Sequence, residues 1–172
     1  MRNTLIFLAA ALSLAHATTL QQLSLDDMTQ KSTTIVRGAV RMTQGEIRAG
    51  SIYTHYTVQV VEQLKGIPAE QIDFMVPGGT VNGLHQTIAG SPAFTNGQEY
   101  LLFLWTSKSG LTTVIGLTQG VFISANGLVT RPAMATSMLG STGAPVVDSG
   151  MQMTLPDMRN RVKSALSEGP AH

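Results

Sequence analysis

The sequence predicts a mainly β domain with a short helix near its start and an amphipathic helix near its end. Three observations carry that expectation. Residues 52–64 alternate, with Ile52, Thr54, Tyr56, Val58, Val60, Glu62 and Leu64 on one face and Tyr53, His55, Thr57, Gln59, Val61 and Gln63 on the other. A mostly apolar row against a mostly polar one with period two is the mark of a strand, not of a helix. The pattern returns at residues 71–76, where Ile72, Phe74 and Val76 oppose Gln71, Asp73 and Met75 after a break at Lys65-Gly66-Ile67-Pro68. Residues 24–32 and 154–167 carry helix caps followed by helical spacing.

Taken in order, residues 1–17 read as a secretory signal peptide: Arg2 is the positive start, residues 5–14 the apolar run, and Ala15-His16-Ala17 the small-x-small cleavage site. The run is too short to span a bilayer, and no later stretch approaches that length. The expected protein is therefore secreted or periplasmic, with no stable membrane insertion once the leader is removed. The absence of Cys excludes a disulfide framework. The chain has 11 Lys and Arg against 10 Asp and Glu, and Arg2 departs with the leader, so the mature charge is balanced. That argues against nucleic acid, which calls for clustered basic residues. Charged residues make up 12% of the chain, where about 25% is usual. Ser, Thr, Gln and Asn must therefore supply the polar surface.

Residues 18–131 are expected to form the β domain. Ser24 caps a short helix ending near Ser32, with Asp26 and Asp27 at its positive end. A strand over 33–42 follows, with Val36, Val40 and Met42 inward and Arg37 and Arg41 outward; residues 44–51 then loop into the 52–64 strand. Pro77-Gly78-Gly79 ends the 71–76 strand, and a Gly-rich irregular stretch runs to Asn96. Residues 99–105 (EYLLFLW) are apolar on both faces, as in a strand buried on both sides. A strand over 111–118 comes next, then two strands, 121–124 and 128–131, around the hairpin signal Ala125-Asn126-Gly127. The strands read as a meander. Residues 132–153 read as a linker of small, Gly- and Pro-containing segments. Thr154 and Asp157 then open the second helix, residues 154–167, whose apolar stripe is Leu155, Met158, Val162 and Leu166.

This order, with Ile35-Val36-Arg37-Gly38-Ala39-Val40, Tyr56-Thr57-Val58-Gln59-Val60 leading to Leu64-Lys65-Gly66, and Gly97-Gln98-Glu99-Tyr100-Leu101-Leu102, resembles the netrin-like or TIMP-like domain of the tissue inhibitors of metalloproteinases. The resemblance covers roughly residues 23–118. It implies a five-stranded OB-like (TIMP-like) barrel with a short N-terminal and a C-terminal helix, exported and acting by binding. Inhibitors of that family chelate zinc through a Cys at the mature N-terminus. Here the mature chain is expected to begin Thr18-Thr19 without any Cys, so that mechanism is not carried over.

Motifs for chemistry are sparse. Asp148-Ser149-Gly150 matches an aspartic-protease triplet, but such enzymes pair two aspartates and the 22 residues that follow leave no room for a lobe, so a loop turn is expected. Of the mature histidines, His55 lies on a polar strand face and His85 in a loop, and no two share ligand spacing. Gly140-Ser141-Thr142-Gly143 lacks the strand and helix of a nucleophile elbow. Tyr56 and Phe74 fall on the inward face, where packing accounts for them better than base stacking. No catalytic, metal-binding or cofactor-binding residue is expected. The leading expectation is a non-enzymatic module that binds or inhibits an exported protein such as a protease. The alternatives are an OB-fold binder of saccharide or another small ligand, and, third, an exported hydrolase. In an alternating meander the loops 44–51 and 78–96 leave at one end, within reach of the mature N-terminus. The expected docking residues there are Thr18, Thr19, Val81, Asn82, Leu84 and His85. The family resemblance implies the same three segments as a binding ridge.

Overall fold

The computed structural model describes residues 20–134 and 138–169. The expected leader, Thr18 and Thr19 lie outside them. The chain is mainly β. Its elements are β1 (Leu20–Gln21), α1 (Leu25–Lys31), β2 (Thr34–Arg48), β3 (Ser51–Lys65), β4 (Gln71–Pro77), β5 (Gly79–Val81), β6 (Leu84–Gln86) and β7 (Glu99–Thr106). There follow β8 (Thr112–Val114), a 3-10 turn (Leu117–Gly120), β9 (Val121–Ala125), β10 (Leu128–Arg131), β11 (Met138–Leu139), β12 (Pro145–Val146), β13 (Met151–Thr154) and α2 (Leu155–Glu168).

Eight strands form one sheet in the order β13-β10-β9-β7-β2-β3-β4-β8, and β8 also pairs with β7. The meander holds for β2, β3 and β4 and then fails. β7 returns to pair with β2, from Thr34 opposite Leu104 to Ala39 opposite Glu99. β8 lies between β4, which it meets in parallel at Met75, and β7, which it meets antiparallel. Residues 78–98 are too many for a tight hairpin and carry the chain across one end of the sheet. A period-two pattern states which face is buried, not which strand edge is met. The strand expected over 111–118 is cut to three residues, because Gly116 turns left-handed (φ 61°) into the 3-10 turn.

Two cores result, and β7 separates them. Tyr100, Leu102 and Leu104 join Val36, Val40, Tyr56, Val58, Phe74, Val76 and Val114 on one face. Leu101 and Phe103 face the helices, with Ile35, Phe122, Val129, Leu25, Met28, Met158 and Val162. A strand between two cores has no polar face, which is why residues 100–105 read as an unbroken apolar run.

The helices follow their caps. Ser24 Oγ accepts the Asp27 N–H at 3.0 Å, and Asp27 answers at the Ser24 N–H, a capping box. At the other end of α1, Lys65 Nζ donates to the carbonyls of Thr29 (2.7 Å) and Gln30 (3.0 Å), groups the helix cannot satisfy itself. In α2 Thr154 caps Asp157 N as expected. The buried stripe is Leu155, Met158, Val162 and Ala165, with Leu166 exposed, a correction of one position. α2 lies against α1, and the close approach of the two helices favours the small Ala165; Gln30 donates to its carbonyl.

Residues 132–153, expected as linker, carry strands among the described residues. β11 pairs in parallel with β1, β12 with β11, and β13 with β10 along its full length. Small residues and turns make this stretch look unstructured, while its pairing partners lie far away in sequence.

Candidate partner-docking rim

β2 does not stop at residue 42. A bulge between Met42 and Gln44 lets it continue to Arg48, so most of the loop expected over 44–51 is strand paired to β3. A two-residue turn at Ala49 (φ 49°) and Gly50 (φ 80°) closes the hairpin. β7 leaves β2 at Ala39, and beyond it Val40 N donates to Gln98 O and Met42 N to Asn96 Oδ1. The end of the hairpin therefore projects past the core. Met42, expected inward, is 54% exposed for this reason.

β4 ends at Pro77, opposite Tyr53, which sets the start of the second connection beside the β2–β3 turn. Several bonds hold it there. Gly78 N donates to Ile52 O at 2.7 Å, Thr54 Oγ1 to Gly78 O at 2.8 Å, and Ile52 N to Gln86 Oε1 at 2.6 Å. The connection then folds into the β5–β6 hairpin, turning at Asn82 (φ 49°) and Gly83 (φ 78°). This hairpin lies on β2 at Gly45. A Cβ at Gly45 would sit 2.7 Å from both the Thr80 carbonyl oxygen and Val81 Cγ2, so only glycine permits the contact.

The hairpin pairs Val81 with Leu84 and Thr80 with His85, which sends the two pairs to opposite faces. Val81 is half-buried against Gly45, Asn82 occupies the exposed turn, and Leu84 is 59% exposed. His85 is exposed; its Nδ1 lies 3.0 Å from Thr80 Oγ1 and its Nε2 3.0 Å from Thr87 Oγ1. These hydroxyls hold the ring, and among the described residues no carboxylate bonds to it.

The rim also has members that sequence reasoning missed. Ile47, 51% exposed, and Met42 extend its apolar surface from the β2–β3 side. Ile47 stands between Glu46 and Arg48 in a stretch that reads as polar loop, so only the hairpin register reveals it. His55, expected to be solvated, has Nε2 3.1 Å from Glu46 Oε2, close enough for an ion pair when protonated but not aligned for a hydrogen bond.

The other sequence motifs are occupied structurally. Asp148 accepts both Nη groups of Arg131, at 2.6 and 2.8 Å, and the Met134 N–H at 2.8 Å. Tyr56 stacks on Phe74, and Phe94 meets Tyr56, Phe74 and Tyr100 edge-on, with centroids 4.9–5.6 Å apart. They fill the core and leave no open platform. Among the described residues, no group of three or more His, Cys, Asp or Glu is placed to hold a metal, and no helix is long and apolar enough to cross a membrane. Neither a family model nor a curated protein matches the sequence.

Proposed function

We propose that this chain is an exported binding module without catalytic activity, built on a five-stranded OB-type, TIMP-like barrel of β2, β3, β4, β8 and β7. Its rim docks an exported protein, for which a protease is the leading candidate. The barrel reading is supported by β8, which pairs with β4 in parallel and with β7 antiparallel while β7 pairs back to β2. The docking reading rests on one observation. Two hairpins meet at Gly45, and three exposed apolar side chains, Met42, Ile47 and Leu84, lie on them, residues of the kind that anchor a protein interface. Without a Cys to bind a catalytic metal, affinity has to come from this apolar contact and the polar groups around it.

The test is a titration. Purified secreted proteases of the metallo and serine classes are titrated with the mature protein and assayed on a fluorogenic peptide. Stoichiometric inhibition is expected with one of them. Leu84→Asp should weaken it by at least about tenfold, whereas Val61→Asp, at an equally exposed position outside the rim, should not. Equal effects of the two variants, or no titration with either class, would overturn the reading.

A further inference from the structure

Three Asn-Gly pairs stand in the chain, Asn82-Gly83, Asn96-Gly97 and Asn126-Gly127, and all six residues are exposed. Each pair sets a side-chain amide beside a backbone nitrogen that no following Cβ screens. In such a pair the glycine nitrogen, once it has lost its proton to hydroxide, can attack the asparagine Cγ. A cyclic succinimide closes as the new N–Cγ bond forms, and the side-chain nitrogen leaves as ammonia. Water then opens the ring at either carbonyl, leaving aspartate or isoaspartate.

The fold holds the three pairs differently. Met42 N–H donates to Asn96 Oδ1 at 2.7 Å, and Gly97 N–H donates to Val40 O at 2.8 Å. Both groups that would have to meet are thus tied to β2. Asn126 turns between β9 and β10, which are flanked by β7 and β13 in the eight-stranded sheet. There Gly127 O accepts the Leu155 N–H at 2.8 Å, which fixes the turn to the start of α2. Asn82 turns the β5–β6 hairpin, whose strands pair only with each other. Among the described residues, neither its side-chain amide nor the Gly83 N–H is hydrogen-bonded. Two strands by themselves are marginal in water, and a segment of low local stability opens more often than one built into a large sheet. Leu84 follows Gly83 as Leu128 follows Gly127, so the next residues do not distinguish these two sites.

We propose that Asn82 is a site of spontaneous deamidation, converting to aspartate and isoaspartate ahead of Asn126, while the folded protein protects Asn96. The chemistry needs only solvent and the turn, and it does not depend on the docking reading. Its product bears on that reading. A carboxylate arises two residues before the exposed Leu84, and the isoaspartyl form adds a backbone carbon to a two-residue turn.

The experiment holds the full mature chain at about pH 8 and 37 °C, with a second sample in urea as the unfolded reference. Aliquots taken over days are digested at mildly acidic pH and mapped by mass spectrometry, and isoaspartate is detected by enzymatic methylation. In the folded protein Asn82 should convert at least about tenfold faster than Asn96 and at least about threefold faster than Asn126, because the population of the open segment sets the rate. In urea the three rates should converge. Asn96 converting as fast as Asn82 in the folded chain, Asn126 matching or overtaking Asn82, or the folded ratios persisting in urea would overturn the proposal. So would an Asn82 that stays intact while the urea reference converts.

Discussion

Asp148→Ala offers the sharpest test of the structural reasoning, because it separates a buried, paired carboxylate from an ordinary loop residue. The side chains of Arg131 and Asp148 are 8% and 2% exposed and share two hydrogen bonds, while Met134 N–H supplies a third to the carboxylate. Removing one member of such a pair strands the other charge in the interior and costs about 3–5 kcal/mol. Against a total stability of about 5–15 kcal/mol that is a large fraction. At about 2–4 °C per kcal/mol for a domain of this size, the melting temperature should fall by about 6–20 °C. Replacing both partners, as in Arg131→Met with Asp148→Leu, removes the stranded charge and should cost far less. The pH dependence has a definite sign. Hydrogen bonds from Arg131 hold the Asp148 carboxyl below its ordinary value of 3.8, against a burial that pushes it up. A depressed folded pKa gives stability that is complete above the unfolded value and is lost as pH falls through the folded one. The gap between wild type and Asp148→Ala should therefore be full at pH 7 and narrow below about pH 3.9. Thermal melts and urea titrations of the three proteins measure all of this. A single variant within about 1 kcal/mol of wild type, or a double variant as unstable as the single, would refute the reasoning.

Three further outcomes follow from other parts of the molecule. Val58 is fully buried and Gln59 beside it is exposed; Val58→Asp should cost several kcal/mol and Gln59→Asp less than about 1 in urea titration, and equal losses would show the face assignment to be wrong. Gly45→Val should push β5 from β2, destabilising by about 1–3 kcal/mol and speeding hydrogen exchange in β5–β6 but not in β7; unchanged exchange would mean that the two hairpins do not depend on this contact. Intact-mass measurement of the exported protein should find a chain starting at Thr18, and a retained Met1 would refute export by leader cleavage.

Much of this architecture is legible in the sequence wherever the signal is local. The alternation of residues 52–64 assigns β3 its faces, Asn126-Gly127 makes the β9–β10 turn (φ 52° and 75°), and Ser24 and Thr154 start the helices. In each case the chain's period, or the φ that one residue tolerates, selects the structure. Within the proposed rim, Val81 and Leu84 stand out in the sequence because apolar residues in a Gly-rich loop are unusual in themselves. Met42 and Ile47 could not, since their exposure follows from where β7 stops pairing with β2.

Tertiary structure decided what depends on distant partners. The identity of β7's neighbour is of this kind, because an apolar run states that both faces are buried and leaves open which edge is paired. Lys65 reads as the end of a strand, yet it closes the last turn of α1, 35 and 36 positions back, once β3 runs past the helix. Arg131 and Asp148 stand 17 positions apart across a stretch that reads as linker. Neither sequence neighbourhood hints at a buried ion pair, since a charge is expected at the surface until something in space compensates it. A cavity beside Ile123 is equally silent in the sequence, because its walls come from segments far apart along the chain. Periodicity and backbone preference act over a few residues and survive in the one-dimensional order. Pairing edges, compensated charges and empty space are relations between segments, and they exist only when the chain has brought those segments together.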